Sequence, residues 1–220
     1  MKIDDIRYTV KPKDDLFVKE AAAKYDAKQV FTYADYLTWP DDERWELLDG
    51  VPYDMGAPSG RHQEISSALS LIFATYLKDK SCKVFTAPLD VRLDWNGHDD
   101  LSDVTCVQPD LMILCDKRKF SKKGILGAPD LVVEILSPST MTYDLLTKME
   151  KYQNVGIKEY WAIEPALEKV SVYLLNENGK YEMTIYNKDD VVKVSIFADF
   201  VVNIAEIFSD SWLIVEHKGE

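Results

Sequence analysis

Pro109-Asp110-Leu111-Met112-Ile113-Leu114-Cys115 and Leu131-Val132-Val133-Glu134-Ile135-Leu136 are two apolar runs, and each carries one carboxylate. Both are rich in aliphatic residues with little alternation, the pattern of strands buried on both faces. An ionised side chain inside such a strand is costly unless it is paired or coordinates a metal. Two of them on consecutive strands point to a divalent-cation site, and a metal site points to hydrolysis. Pro109 suits the first position of a strand, where its missing N–H matters least. Alternation sets Asp110 on one face with Met112 and Leu114, and Glu134 on one face with Val132 and Leu136. If the strands are neighbours, the two carboxylates converge at one end of a sheet. Each also has a plainer reading, Asp110 as a turn residue and Glu134 as an edge-strand glutamate facing water. The five aliphatic residues among 131–136 weaken the second.

Downstream, Ser137-Pro138-Ser139 breaks the chain and a helix is predicted over 143–155, with Gly156 as its C-terminal stop. Lys148 shares the inward stripe of that helix with Leu145 and Tyr152. Such a lysine can snorkel to water. Alternatively it reaches the carboxylates and positions a water or stabilises charge on a phosphoryl oxygen. Asp144 stands four residues before Lys148, at the spacing of an ordinary helical ion pair. Strands follow over 158–163, 170–175, 181–186 and 191–196, the last three read as antiparallel, and a short helix closes the fold near 204–208.

Upstream, Ile65, Ala68, Leu69, Ile72, Phe73, Tyr76 and Leu77 form one apolar face of a helix predicted over 62–78. His62 begins that helix, as either a structural or a functional histidine. Residues 83–93 and 107–115 each read as a single strand, joined through a solvated turn over 94–100. Trp45-Glu46-Leu47-Leu48, Asp49-Gly50 and Val51 to Met55 read as a hairpin, because Asp-Gly is a preferred two-residue turn. Glu46 alternates with Trp45 and Leu47, which allows an outward-facing position. Thr32 and Asp35 are spaced as a capping box for a helix that Pro40 stops. Ala21-Ala22-Ala23 suggests another short helix. The central order is helix, three strands, helix, strand.

The 220 residues suit one domain, here 29–210, with an N-terminal extension over 1–28 and a tail over 211–220. The start has no apolar core of a secretory signal. No apolar stretch is long enough to span a membrane. Cys82, Cys106 and Cys115 are odd in number without a CxxC, and read as free buried thiols in a reducing compartment. A cytoplasmic location is therefore expected. The net charge of −12 argues against broad nonspecific nucleic-acid binding. Lys117, Arg118, Lys119, Lys122 and Lys123 oppose that trend, as either a solvated loop or an anion-binding edge. GxSxG, P-loop, GxGxxG and HExxH patterns are absent, which removes several enzyme classes.

Taken together, Trp45 to Gly50, Ser59-Gly60-Arg61-His62, Pro109-Asp110-Leu111, Pro129 to Ser139, Asp144 to Lys148, Tyr152 and Gly156 to Trp161 resemble a bacterial family within the PD-(D/E)xK nuclease superfamily. That family is described as putative restriction endonucleases, and the resemblance runs from about Phe31 to Phe208. It implies a restriction-endonuclease-like α/β fold, a mixed sheet with an αβββαβ core flanked by helices, plus antiparallel C-terminal strands. It further implies a Mg²⁺-dependent endonuclease acting on DNA, with Mn²⁺ as a substitute, and a homodimer for double-strand cleavage. Asp110 and Glu134 match the metal-binding acids, with the Ile135 carbonyl as a further ligand and Glu46, an acid contributed before the core, as another metal residue. Leu136 stands where the superfamily's lysine belongs, two residues after Glu134, and Lys148 would supply that amine from a migrated position. His62 remains a secondary candidate, and the basic segment 117–123 a nucleic-acid contact. Two other readings compete: a catalytically degenerate nuclease-fold module for protein or nucleic-acid interaction, and a metal-dependent hydrolase of smaller phosphate esters.

Overall fold

The computed structural model describes residues 30–40, 42–97, 101–137 and 143–209. The helix expected at Ala21-Ala22-Ala23, the extension over 1–28, the tail over 211–220, and Pro138-Ser139 lie outside the described residues, as does the side chain of Asp144.

The apolar run that opens at Asp110 becomes β6 (Leu111–Leu114), and the run holding Glu134 becomes β9 (Leu131–Ile135). They pair antiparallel as inner strands of a six-stranded sheet. Its order is β12 (Tyr181–Asn187), β11 (Lys169–Leu175), β10 (Glu159–Glu164), β9, β6 and β3 (Lys83–Thr86). β9 and β10 run parallel, and every other pair is antiparallel. Parallel neighbours need a crossover. Here it is a π-helical segment (Tyr143–Lys148) running into α3 (Met149–Asn154), and it ends at Gly156, whose φ of 83° suits only glycine readily.

Both faces of β6, β9 and β10 are covered, which explains why these strands carry so little alternation. On one face, Ile65, Leu69 and Phe73 of α2 (Gly60–Leu77) pack with Leu111, Ile113, Val133 and Trp161. Ile204 and Ile207 of α4 (Ile204–Ile207) join that core, as does the small sheet of β13 (Val191–Lys193) and β14 (Val201–Asn203). On the other face, Met112, Val132, Leu136, Tyr160 and Ala162 meet Tyr152 together with Leu48, Val91 and Ile125 of a second sheet. That sheet is ordered β2 (Val51–Asp54), β1 (Trp45–Leu48), β5 (Cys106–Val107), β4 (Val91–Arg92), β8 (Gly124–Leu126), β7 (Phe120–Ser121). The β1–β2 hairpin turns at Asp49 and Gly50, both at positive φ, as a two-residue turn requires. Thr32 and Asp35 form the expected capping box on α1 (Tyr33–Tyr36). No described helix is long and apolar enough to cross a membrane.

Three expectations are corrected. Residues 83–93 divide into β3 and β4, and 107–115 into β5 and β6, each half in a different sheet. Pro88 and Pro109 have no N–H to continue a ladder, so the chain changes sheets there. The N–H of Gln108 donates instead to Glu46 Oε1 at 2.7 Å. Val191 to Lys193 pairs with β14 and does not extend the β11–β12 meander. Third, Cys82 and Cys115 form a disulfide, and only Cys106 is free. The register Lys83↔Leu114, continued by one residue, sets the two cysteines opposite each other across β3 and β6. The inference from three free thiols to a reducing compartment therefore loses its premise.

Candidate active site

The register Leu111↔Val133 and Met112↔Val132, continued one step, brings Asp110 opposite Glu134. Both then belong to the sheet face of Met112 and Val132, the convergence expected from alternation. Asp110 sits where the chain enters β6, and its Oδ2 accepts the N–H of Ile135 at 2.7 Å. His62, in the first turn of α2, brings Nε2 to 3.0 Å from the same oxygen. Ser59 caps that helix by accepting the N–H of His62, which fixes where the imidazole leaves the backbone. Asp110 keeps 20% of its side chain exposed, whereas Glu134 keeps 4%.

Glu134 is held from below by the crossover helix. Lys148 Nζ lies 3.1 Å from Glu134 Oε1 and 2.8 Å from Glu46 Oε2. The Tyr152 hydroxyl donates to Glu134 Oε1 at 2.5 Å. Lys148 is 1% exposed, so it does not snorkel to water. Glu46 is fully buried, which rules out the outward-facing reading of β1. Its two oxygens serve Lys148 and the Gln108 N–H. Burial, then the neighbouring Glu134 carboxylate, hold the Tyr152 hydroxyl well above its ordinary pKa. Tyr152 therefore stays a proton donor to Glu134 at neutral pH.

A cavity of about 890 Å³ opens over this arrangement. Asp110, Glu134, Ile135 and His62 line it, as do Arg44 and Glu164. α2 contributes a polar wall of Gln63, Ser66 and Ser70. The five basic residues of 117–123 do not line this cavity. They follow the end of β6 away from Asp110, on a 3₁₀ turn (Lys117–Lys119) and the β7–β8 hairpin. Arg118 pairs with Asp116 there, and Lys119 Nζ donates to the Ala128 carbonyl.

Carboxylate oxygens are the donors that hard divalent cations prefer. Asp110 and Glu134 are such a pair, opposed across two strands and facing one cavity, so the residues fit Mg²⁺ or Mn²⁺. Among the described residues no group of three or more His, Cys, Asp or Glu side chains forms a metal cluster. An ion at the pair would fill its shell from backbone and water, as Mg²⁺ commonly does.

Sequence reasoning left out Arg44, Gln108 and the role of Tyr152. Tyr152 was open to discovery, standing four residues after Lys148 and so on the same helical stripe. Arg44 and Gln108 carry no local pattern: Arg44 directly precedes β1, and Gln108 lies where the chain passes from β5 to β6.

Comparison with known proteins agrees with this fold. The model of the Uma2 family, described as "Putative restriction endonuclease", matches residues 33–205. An uncharacterized protein of Synechocystis sp., slr1290, is 30% identical over 174 residues, covering 77% of this chain and 88% of the relative. A crystal structure of a putative nuclease belonging to DUF820 from Anabaena variabilis superposes with a TM-score of 0.65 at 20% identity. It covers 81% of this chain and 97% of that one. At that identity the likeness is one of fold.

Proposed function

Since this chain belongs to the Uma2 family of putative restriction endonucleases, we propose that it is a metal-dependent endonuclease hydrolysing DNA phosphodiester bonds. The observation that carries the reading is the 3.1 Å contact between Lys148 Nζ and Glu134 Oε1. A nuclease site of this type needs an amine beside its second acid, and Leu136 cannot provide one. Lys148 offers it from another element, beside the same carboxylate.

Asp110 and Glu134 would hold Mg²⁺ or Mn²⁺, with the Ile135 carbonyl as a further oxygen. When bound, such an ion supplies Lewis acidity toward a phosphoryl oxygen and lowers the pKa of a coordinated water. The protein's own groups do the rest. Lys148 orients the attacking water and offsets negative charge as the phosphorus becomes pentavalent. Glu46 holds the ammonium in place, and the Tyr152 hydroxyl fixes the rotamer of Glu134. His62 steadies Asp110 through its 3.0 Å contact. Lys117, Arg118, Lys119, Lys122 and Lys123 would serve a flanking stretch of backbone, away from the scissile phosphate. Cleavage of both strands calls for two such sites, so the proposal extends to a homodimer.

Incubation of supercoiled plasmid with Mg²⁺, Mn²⁺ or EDTA tests the reading, with wild type beside Glu134→Gln. Nicking that needs metal and is lost in the variant is expected. A folded wild type that never nicks with either metal would instead favour the non-catalytic module.

A further inference from the structure

We propose that Arg44 is the phosphodiester-binding residue of the cavity, gripping the substrate backbone beside Asp110 and Glu134. This rests on the nuclease reading and adds to it a protein cation in the lining of the cavity itself. Among the described residues the cavity is lined by three carboxylates, Asp110, Glu134 and Glu164, and Arg44 is the one lysine or arginine. Lys148 is committed to Glu46 and Glu134 and almost wholly buried. A divalent ion would offset Asp110 and Glu134, and a cation on the protein adds attraction for a phosphodiester that enters beside Glu164.

The guanidinium is held ready for that task. Arg44 Nη2 donates to Gln108 Oε1 at 3.2 Å. The orientation of that amide is set by its other end, where Gln108 Nε2 donates to Tyr36 Oη at 3.1 Å and Asp90 Oδ1 at 3.0 Å. Arg44 forms no ion pair with any described carboxylate, and its Nε is buried without a hydrogen-bond partner among the described residues. A buried N–H left unpaired is costly, and this one belongs to a permanently charged group. The planar fork of arginine matches two phosphate oxygens at once. Gln108 links this clamp to the buried charges beneath the cavity, since its own N–H donates to Glu46 Oε1.

The direct test follows the Arg44 Nε–H resonance by ¹⁵N NMR, assigned by its loss in Arg44→Lys. The probe is a phosphorothioate-linked thymidine dinucleotide, titrated with Mg²⁺ present. A saturable shift of that resonance is expected. Arg44→Ala should weaken binding of the dinucleotide about 10- to 100-fold, the range of one charge-assisted contact, with Arg44→Lys recovering only part. In plasmid assays the loss should fall mainly on KM, with a smaller effect on kcat. An Arg44 resonance that stays still while other cavity signals move, or while nothing moves, overturns the proposal. Wild-type cleavage is scored separately. Cleavage with a silent Arg44 sinks the clamp alone, and a responsive Arg44 without cleavage leaves the clamp and sinks the nuclease.

Discussion

Replacing Lys148 with methionine probes the arrangement under the cavity most sharply. The wild-type ammonium lies 2.8 Å from Glu46 and 3.1 Å from Glu134, and all three side chains are at most 4% exposed. Methionine fills much of the same volume but leaves two buried carboxylates facing each other without their cation. Breaking a buried pair by removing one partner costs about 3–5 kcal/mol, because the remaining charge is uncompensated. For a chain of this length, about 2–4 °C of Tm is lost per kcal/mol, so a drop of roughly 6–20 °C is expected. Urea unfolding at neutral pH in EDTA measures it, with a lower midpoint at an unchanged slope. The decisive feature is a reversal of sign. In wild type, Glu46→Gln removes a partner of Lys148 and should destabilise. In the Lys148→Met background it removes a stranded charge and should recover at least about 1 kcal/mol. A loss below about 1 kcal/mol for Lys148→Met, or equal destabilisation by Glu46→Gln in both backgrounds, would refute the reasoning.

Gly124 has a φ of 116°, and an added Cβ would collide with the Asp90 carbonyl. Gly124→Ala should therefore cost at least about 1–3 kcal/mol in denaturant unfolding. Reduction of the Cys82–Cys115 disulfide should destabilise by about 3–4 kcal/mol on chain-entropy grounds. The closed loop spans 33 residues, and a matching loss is expected for Cys115→Ser. Equal midpoints with and without reductant would contradict that. The Tyr76 phenol is pushed up to about 12 by its hydrogen bond to Asp199, then by burial. Its contribution to stability is present below the ordinary tyrosine range and is lost as pH rises through about 12. Ultraviolet titration of wild type against Tyr76→Phe should show one late-ionising phenol missing from the variant.

What was legible in the chain follows from period and punctuation. The stripe from Ile65 to Leu77 announced α2, and Asp49-Gly50 announced the β1–β2 turn. The unalternating aliphatic runs around Asp110 and Glu134 announced central strands, because a sheet covered on both faces leaves no polar side. Lys148 was legible as an inward lysine, but its two partners were not, since Glu46 comes from another sheet. Register was the other hidden quantity. Nothing local to Cys82 or Cys115 says that they oppose each other. That follows only from the pairing of Lys83 with Leu114. The two strands that broke at Pro88 and Pro109 show the same limit. Pro88 and Pro109 mark where a ladder stops, but the passage to a second sheet also depends on Glu46, Tyr33 and Tyr36, whose side chains hold Gln108 and Asp90. The site therefore draws on α2, two sheets and the crossover helix, which no window of sequence contains.

Everything proposed for the cavity depends on Asp110 and Glu134 forming a metal site that serves phosphodiester hydrolysis. Calorimetric titration of Mn²⁺ into wild type and Asp110→Asn, with plasmid nicking by the same samples, tests it most directly. Asp110 is partly exposed and at a strand entrance, so the isosteric variant should keep the fold, as circular dichroism can verify. Wild type should bind Mn²⁺ and nick DNA only with metal, and Asp110→Asn should lose both. A folded Asp110→Asn protein that still binds Mn²⁺ and nicks DNA at the wild-type rate would contradict it.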